Sequence, residues 1–208
     1  MRYSEAVRSP LIPFLIAAAV TILIGVSVRM EPYFAGDVAV TRAVQRWTPA
    51  PTSWATPVSR LAPAPGKYYV MAIALVASFF VAGFRGLAVV VFFLLLEQYG
   101  AELTKPLFNR PRPSRDLIAV VDNPSGLSFP STTITFYSVT IGAVGLVALM
   151  RKKAPYRWPV AVIGFSFLLL GCIARVALGA HWPSDVLLTS LLCLVWIWAA
   201  SRLVLSKG

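Results

Sequence analysis

Charge is scarce in this chain. Only 13% of its 208 residues are Asp, Glu, Lys or Arg, against the roughly 25% that a water-facing surface requires. That shortage excludes an ordinary soluble domain. Cysteine and histidine are scarcer still, with two and one. Cys172 and Cys193 fall inside apolar runs, where a thiol behaves as a small hydrophobe. Neither a disulfide framework nor a Cys/His metal site follows from such a pair, so no metal or other cofactor is expected. Acidic residues are few beside basic ones, eight against nineteen, for a net charge of +11. In a soluble protein this excess would point to nucleic acid. No basic-aromatic platform or groove-reading helix accompanies it, so nucleic acid is not an expected partner. Basic residues flanking membrane spans account for the excess.

What the chain has in quantity is hydrophobic sequence, 58% of the total, arranged in long runs. A run of about 20 apolar residues crosses the hydrocarbon core as a helix, because lipid offers the backbone no hydrogen-bond partners. Six runs qualify: Pro10 to Val28, Lys67 to Phe84, Leu87 to Leu103, Thr132 to Met150, Pro159 to Ala177, and Pro183 to Val204. The expected fold is all-α: a polytopic membrane protein with about six transmembrane helices, one domain over residues 1–208. The Pro-rich stretch from Met30 to Gly66 predicts a short interfacial helix near Asp37 to Trp47. Val38, Val40, Val44 and Trp47 share one side there, and the aromatic residues suit the headgroup region. Leu11 to Val28 has two readings, a cleaved signal peptide and an uncleaved span; the stretch is long for the first and no convincing small-residue cleavage site follows Arg29, which favours the second. An inside N-terminus places Arg2, Arg8, Arg85, Arg151, Lys152, Lys153, Arg157, Arg202 and Lys207 on the cytoplasmic side, as the positive-inside rule favours.

The opposite face is also basic, and its arginines need another explanation. Three segments meet there. The first is Lys105-Pro-Leu-Phe-Asn-Arg110-Pro-Arg112-Pro113-Ser-Arg115, and the second is Phe129-Pro130-Ser131-Thr132-Thr133. The third runs from Arg175 through His181 to Asp185. Taken singly, each has a plain reading as anchors, a helix start and a structural histidine. Together they describe a phosphate site. Arg forks match phosphate oxygens in charge and geometry. Pro130 and Pro183 mark helix N-termini, whose free N–H groups attract anions. Asp185 follows His181 by about one helical turn, placing a carboxylate in reach of one ring nitrogen and leaving the other free as nucleophile or base.

These residues resemble the motifs of the type 2 phosphatidic acid phosphatases, membrane lipid phosphatases related to vanadium haloperoxidases. That family carries K-x6-R-P, P-S-G-H and S-R-x5-H-x3-D. Lys105 with Arg112-Pro113 fits the first in full. Arg175, His181 and Asp185 fit the third at its spacing, with Ala174 where Ser is usual. Pro130-Ser131 begins the second. The resemblance implies a metal-independent enzyme of the bacterial inner membrane whose site faces the extracytoplasmic side. In it the residue matching His181 attacks phosphorus, the one matching Asp185 holds that histidine, and Lys105, Arg112, Ser131, Thr132 and Arg175 bind the phosphoryl oxygens. The implied partner is a lipid phosphate whose tail enters between helices: phosphatidic acid, phosphatidylglycerol phosphate, a polyprenyl diphosphate such as undecaprenyl diphosphate, or lipid A. Arg110 and Arg115 are expected to meet headgroups or the interface. Asp116 and Asp122 are expected to be solvated loop residues, and Glu102 to form an ion pair near the interface.

One motif is broken. Thr133 stands where the family has the histidine that protonates the leaving oxygen, and His181 is the only histidine in the chain. A hydroxyl does not donate a proton near neutral pH as a group of pKa about 6.5 does, and the loss is worth roughly 10² to 10⁴-fold. Three accounts follow: an inactivated variant of an active enzyme, a native enzyme acting on a diphosphate with a stable leaving group, or a non-catalytic lipid-phosphate binder or flippase.

Overall fold

The computed structural model describes residues 10–205; Arg2, Arg8 and Lys207 lie outside them. The described chain is helical: α1 (Ile12–Met30), α2 (Asp37–Trp47), α3 (Pro51–Ser59), α4 (Gly66–Phe108), α5 (Thr132–Tyr137), a π-helical turn (Ser138–Gly142), α6 (Ala143–Met150), α7 (Arg157–Ala177) and α8 (Pro183–Leu205). Five stretches are long and apolar enough to cross a membrane: α1, residues Gly66–Gly100 of α4, the continuous rod Thr132–Met150, α7 and α8.

Helix α4 is two limbs. The backbone leaves helical geometry at Ala82 (φ −144°, ψ 20°) and Gly83 (φ 60°, ψ −153°), the second a conformation that only glycine adopts without strain. Beyond it the chain turns back, and Lys67 Nζ lies 3.2 Å from Glu97 Oε2. Those residues would stand about 45 Å apart in a straight helix. The limbs touch closely where they turn: a Cβ at Gly86 would sit 2.6 Å from the Ser78 carbonyl oxygen. The expected runs Lys67 to Phe84 and Leu87 to Leu103 are these limbs.

The rod Thr132–Met150 is the bundle's centre, far more buried than the other apolar helices. Small residues let α7 approach it, as lipid-embedded helices require when close packing drives association. A Cβ on Gly164 would lie 2.7 Å from the Ile141 carbonyl oxygen, and one on Gly171 would lie 2.5 Å from the Tyr137 ring. By contrast α1 buries little beyond Ala17, Ile24 and Val28.

Chain reversals sort the charges between two ends. The Tyr156 hydroxyl donates to the Val81 carbonyl at 3.0 Å. This sets the turn of α4, with Arg85, beside the connector holding Arg151, Lys152, Lys153 and Arg157. The other end carries Lys105, Arg112, Arg175 and His181, covered by α2 and α3.

Helix α2 has the expected bounds but docks by a different side. Its buried residues are Asp37 and Thr41, whereas Val40 and Trp47 are exposed. Polar groups hold it: Arg42 Nε donates to Leu117 O at 2.9 Å, and Gln45 Nε2 to Ala119 O at 2.6 Å. Helix α3, absent from the sequence reading, begins at Pro51, whose fixed φ suits a first helical position. The Tyr137 hydroxyl donates to the Val58 carbonyl and ties α3 to the central rod.

The covering layer is locked by Arg110. Expected at an interface, it is fully buried. Its Nη1 lies 2.6 Å from Asp185 Oδ1 and its Nη2 3.2 Å from Asp37 Oδ2. The guanidinium stacks 4.7 Å above Phe34. Asp37 also accepts from Ser184 N at 3.0 Å and Ser184 Oγ at 2.6 Å. One arginine therefore joins α2, the loop after α4, and α8. Each of these buried carboxylates relies on that cation to offset the cost of burying its charge. Arg110→Met is expected to lower stability by about 3–5 kcal/mol, the cost of breaking a buried pair, while Arg115→Met at an exposed site changes little. Thermal unfolding of the two variants in detergent measures the contrast, and equal midpoints would remove Arg110 from this role.

Candidate active site

A cavity of about 730 Å³ opens at the covered end of the bundle. It is walled by α3, the last turns of α4, the loop 109–131, the start of α5 and the α7–α8 junction. Lys105, Arg112, Thr132, Thr133, Arg175 and His181 all line it. Among these six, residues up to 76 positions apart, Lys105 and His181, are thus brought together. Ser131 and Asp185 lie behind the wall. Ser131 precedes α5 with its hydroxyl buried and unpartnered among the described residues. Asp185 is in the first turn of α8 and fully buried.

The imidazole of His181 is held from both sides. Its Nε2 is 3.2 Å from Arg112 Nη1. A guanidinium only donates, so Nε2 carries the lone pair and Nδ1 the proton. On the inner side Nδ1 is 3.8 Å from Asp185 Oδ2, too far for a direct hydrogen bond. Ser128 fills the gap: its Oγ is 3.4 Å from Nδ1 and donates to Asp185 Oδ2 at 2.5 Å. Asp185 also accepts from the Trp182 amide at 2.9 Å and from Arg110. Burial pushes the His181 imidazole down to about 4, with the Arg175 and Arg112 charges acting in the same direction against the neighbouring Asp185 carboxylate. At neutral pH the ring is uncharged, with its Nε2 lone pair at the cavity wall.

Sequence reasoning missed Ser128 and the placement of Arg110. Ser128 carries no motif signal, since a serine four residues before a helix start is ordinary. Arg110 differs from Arg112 and Arg115 only in the partners the fold gives it.

Three of the cavity cations, Lys67, Lys105 and Arg175, have a carboxylate partner. Lys105 Nζ lies 2.7 Å from Glu102 Oε1, the expected interfacial pair, and this contact holds Glu102 below the usual carboxylate range. Arg175 Nη1 lies 2.8 Å from Asp122 Oδ2. Asp122 was expected to be a solvated loop residue; its backbone N–H donates to Leu178 O at 3.0 Å, which draws it onto Arg175. Lys67 pairs with Glu97. Arg112 is fixed by carbonyls instead, donating to Ala180, Gly126 and Ser125 at 2.8, 3.0 and 3.3 Å, and burial lowers its pKa. An anion entering the cavity competes with Glu102 and Asp122, both part-exposed at 66% and 44%, for their cations. Thr133 lines the cavity, and Thr132 Oγ1 donates to Glu102 Oε1 at 2.9 Å. Among the described residues no group of His, Cys, Asp and Glu is placed to hold a metal ion.

Fold and cavity together define a polytopic helical membrane protein with a cation-lined chamber at one end of its bundle. The PAP2 superfamily model matches residues 86–208, and the chain belongs to that family. The decaprenylphosphoryl-5-phosphoribose phosphatase of Mycobacterium tuberculosis is 41% identical over 87 residues. That match covers 41% of this chain and 43% of the relative, so less than half of either is spanned. The crystal structure of a transmembrane PAP2-type phosphatidylglycerolphosphate phosphatase from Bacillus subtilis has the same fold. Its TM-score is 0.70 at 20% identity, covering 96% of this chain and 97% of that one.

The cradle is testable by geometry alone, because Lys keeps the charge of Arg but not its planar fork. Arg112→Lys and Arg175→Lys are each expected to weaken inorganic phosphate binding about tenfold, as loss of a charged hydrogen bond implies. Arg115→Lys is expected to leave it unchanged. Calorimetric titration of the three variants decides, and three equal near-zero effects would return these arginines to membrane anchoring.

Proposed function

We propose that the protein is an integral membrane lipid phosphatase that uses His181 as its nucleophile. The observation that carries this reading is the neutral imidazole whose Nε2 meets Arg112 at the cavity wall while Ser128 and Asp185 back its Nδ1. Nε2 forms a bond to phosphorus as the ester P–O bond breaks, and the lipid leaves with the electron pair. The ring then carries positive charge on an N–H facing Ser128, which the buried Asp185 carboxylate stabilises. Water next attacks phosphorus, the P–N bond breaks, and inorganic phosphate and neutral His181 are regenerated. Lys105, Arg112 and Arg175 stabilise the charge that spreads over the phosphoryl oxygens. Water and this chain's own side chains supply every step, so no metal is invoked. The lipid enters with its phosphate in the cavity and its tail among the helices. The family relative's activity makes a polyprenyl-linked phosphosugar one candidate substrate, beside the phospholipid monophosphates.

The leaving oxygen lacks a donor. Glu97, Glu102 and Asp122 are each committed to a cation, and His181 is the only histidine in the chain. Thr133 therefore favours a second reading, a lipid-phosphate binder or flippase on the same scaffold. Thr133→His is expected to raise phosphate release from a lipid monophosphate at least about 10²-fold, and less from a diphosphate, whose leaving group is already a stable anion. The gain is expected to vanish when His181→Ala is added. Phosphate release from matched mono- and diphosphate lipids measures this. A folded Thr133→His protein that is as inactive as the starting chain on every lipid would favour the binder.

Orientation completes the proposal: the cavity faces the extracytoplasmic side of a bacterial inner membrane, with the 151–157 connector in the cytoplasm. The four basic residues of that connector, Arg151, Lys152, Lys153 and Arg157, carry the assignment. Single cysteines in the loop 109–131, but not in the connector, are expected to react with an impermeant thiol reagent in intact cells. The opposite labelling pattern overturns the orientation.

A further inference from the structure

The cavity is larger than a phosphoryl group alone requires. Its volume lies in the roughly 300–1,000 Å³ range of sites that take whole small molecules. The phosphate cradle occupies the side built by Lys105, Arg112, Arg175 and His181. Helix α3 lines the cavity too, through Thr52, Thr56, Ser59 and, just past its last turn, Arg60. The three hydroxyl residues stand at i, i+4 and i+7, so one helix face presents all of them.

None of the three hydroxyls has a side-chain partner among the described residues. Several other helix hydroxyls bond the carbonyl one turn back: Thr21 on Ala17 and Thr41 on Asp37, each at 2.8 Å. Thr135 does so on Ser131 at 3.0 Å. On α3 itself, Ser53 bonds Ala50 at 2.8 Å. Thr52, Thr56 and Ser59 make no side-chain hydrogen bond among the described residues, and the Ser59 Oγ is shielded from solvent as well. A shielded hydroxyl without a partner costs stability unless something completes it. Arg60 adds a guanidinium with no carboxylate partner among the described residues, unlike Lys67, Lys105 and Arg175 in the same cavity.

We propose that this wall is a headgroup subsite for a hydroxylated segment that carries a second anionic group. The phosphate to be removed sits in the cradle, a sugar or glycerol unit lies along Thr52, Thr56 and Ser59, and the second phosphate meets Arg60. The subsite rests on the phosphate-binding reading of the cavity but not on turnover, so binding alone tests it. It selects phosphorylated glycosyl or glycerol lipids joined to their tail through a phosphodiester. A phosphate attached directly to a hydrocarbon leaves the three hydroxyls unpaired.

The experiment is calorimetric titration of the full chain in detergent with inorganic phosphate, glycerol 3-phosphate, ribose 5-phosphate and ribose 1,5-bisphosphate. Affinity is expected to rise from inorganic phosphate to the hydroxylated monophosphates and again to the bisphosphate. A greater gain with ribose than with glycerol identifies a sugar headgroup, and equal gains a glycerol-like one. Thr56→Val combined with Ser59→Ala is expected to weaken the hydroxylated monophosphates about fivefold or more, the effect of one net hydrogen bond. It is expected to leave inorganic phosphate unchanged, which also reports that the variant is folded. Arg60→Gln is expected to cut bisphosphate affinity about tenfold, in keeping with a charged hydrogen bond, and to spare the other probes. Inorganic phosphate that binds and is weakened by Arg112→Lys, with no preference for any hydroxylated probe, overturns the subsite alone. Absence of any phosphate binding overturns the phosphate reading and the subsite with it.

Discussion

The geometry of the candidate site depends on one buried arginine. Arg110 sits between Asp37 and Asp185 with no access to water. Charges so placed are expensive to desolvate, and a buried pair need not add net stability over an apolar replacement. Its use is geometric. A bidentate cation between two carboxylates has one satisfactory arrangement, and that arrangement fixes the loop after α4 against α2 and the start of α8. Asp185 is thereby committed to a single position. Through the Ser128 hydroxyl it then governs the Nδ1 side of His181, and so which nitrogen of the ring faces the cavity.

On the cavity side the electrostatics are arranged the other way. The cations there are paired with carboxylates that retain some exposure, Glu102 and Asp122, or held by backbone carbonyls, as Arg112 is. A part-exposed ion pair is weak, because water competes for both members. The cradle is therefore preformed in position and open to exchange of partner. The same pairing commits the cavity's acids to cations, and no second histidine stands near Thr133. The α3 wall departs from the pattern with its unpaired hydroxyls and its uncompensated arginine, and there the cavity's chemistry shifts from charge to hydrogen bonding.

The relation between sequence and structure is uneven in an instructive way. Helix α2 falls where expected, from Asp37 to Trp47. Val40 and Trp47, however, stay off the docking side, which Asp37, Thr41 and the part-buried Val44 form, because Asp37 has to reach Arg110 and that requirement sets the rotation. Lys67 to Phe84 and Leu87 to Leu103 read as separate runs and fold as two limbs of one element that turns at Gly83. Helix α3 was hidden in a stretch whose prolines read as punctuation, although Pro51 occupies a position where proline starts a helix. Asp122 read as a solvated loop acid, and only the bond from its backbone to Leu178 draws it onto Arg175.

The sequence by itself determined the membrane class, the helical content and the motif residues that mark the family. These are local properties: long apolar runs must be helical in lipid, and Lys105, Arg112, Arg175, His181 and Asp185 stand at spacings readable in one dimension. The tertiary structure alone decided which of three neighbouring arginines is buried and which faces the cavity. It also decided that Ser128 stands between His181 and Asp185, and that α3 supplies a wall to the chamber. Those outcomes depend on partners 53 to 79 residues away along the chain. Charge and hydrogen bonding act through space, so a residue's chemistry is set by the neighbours that folding brings, which no local pattern encodes.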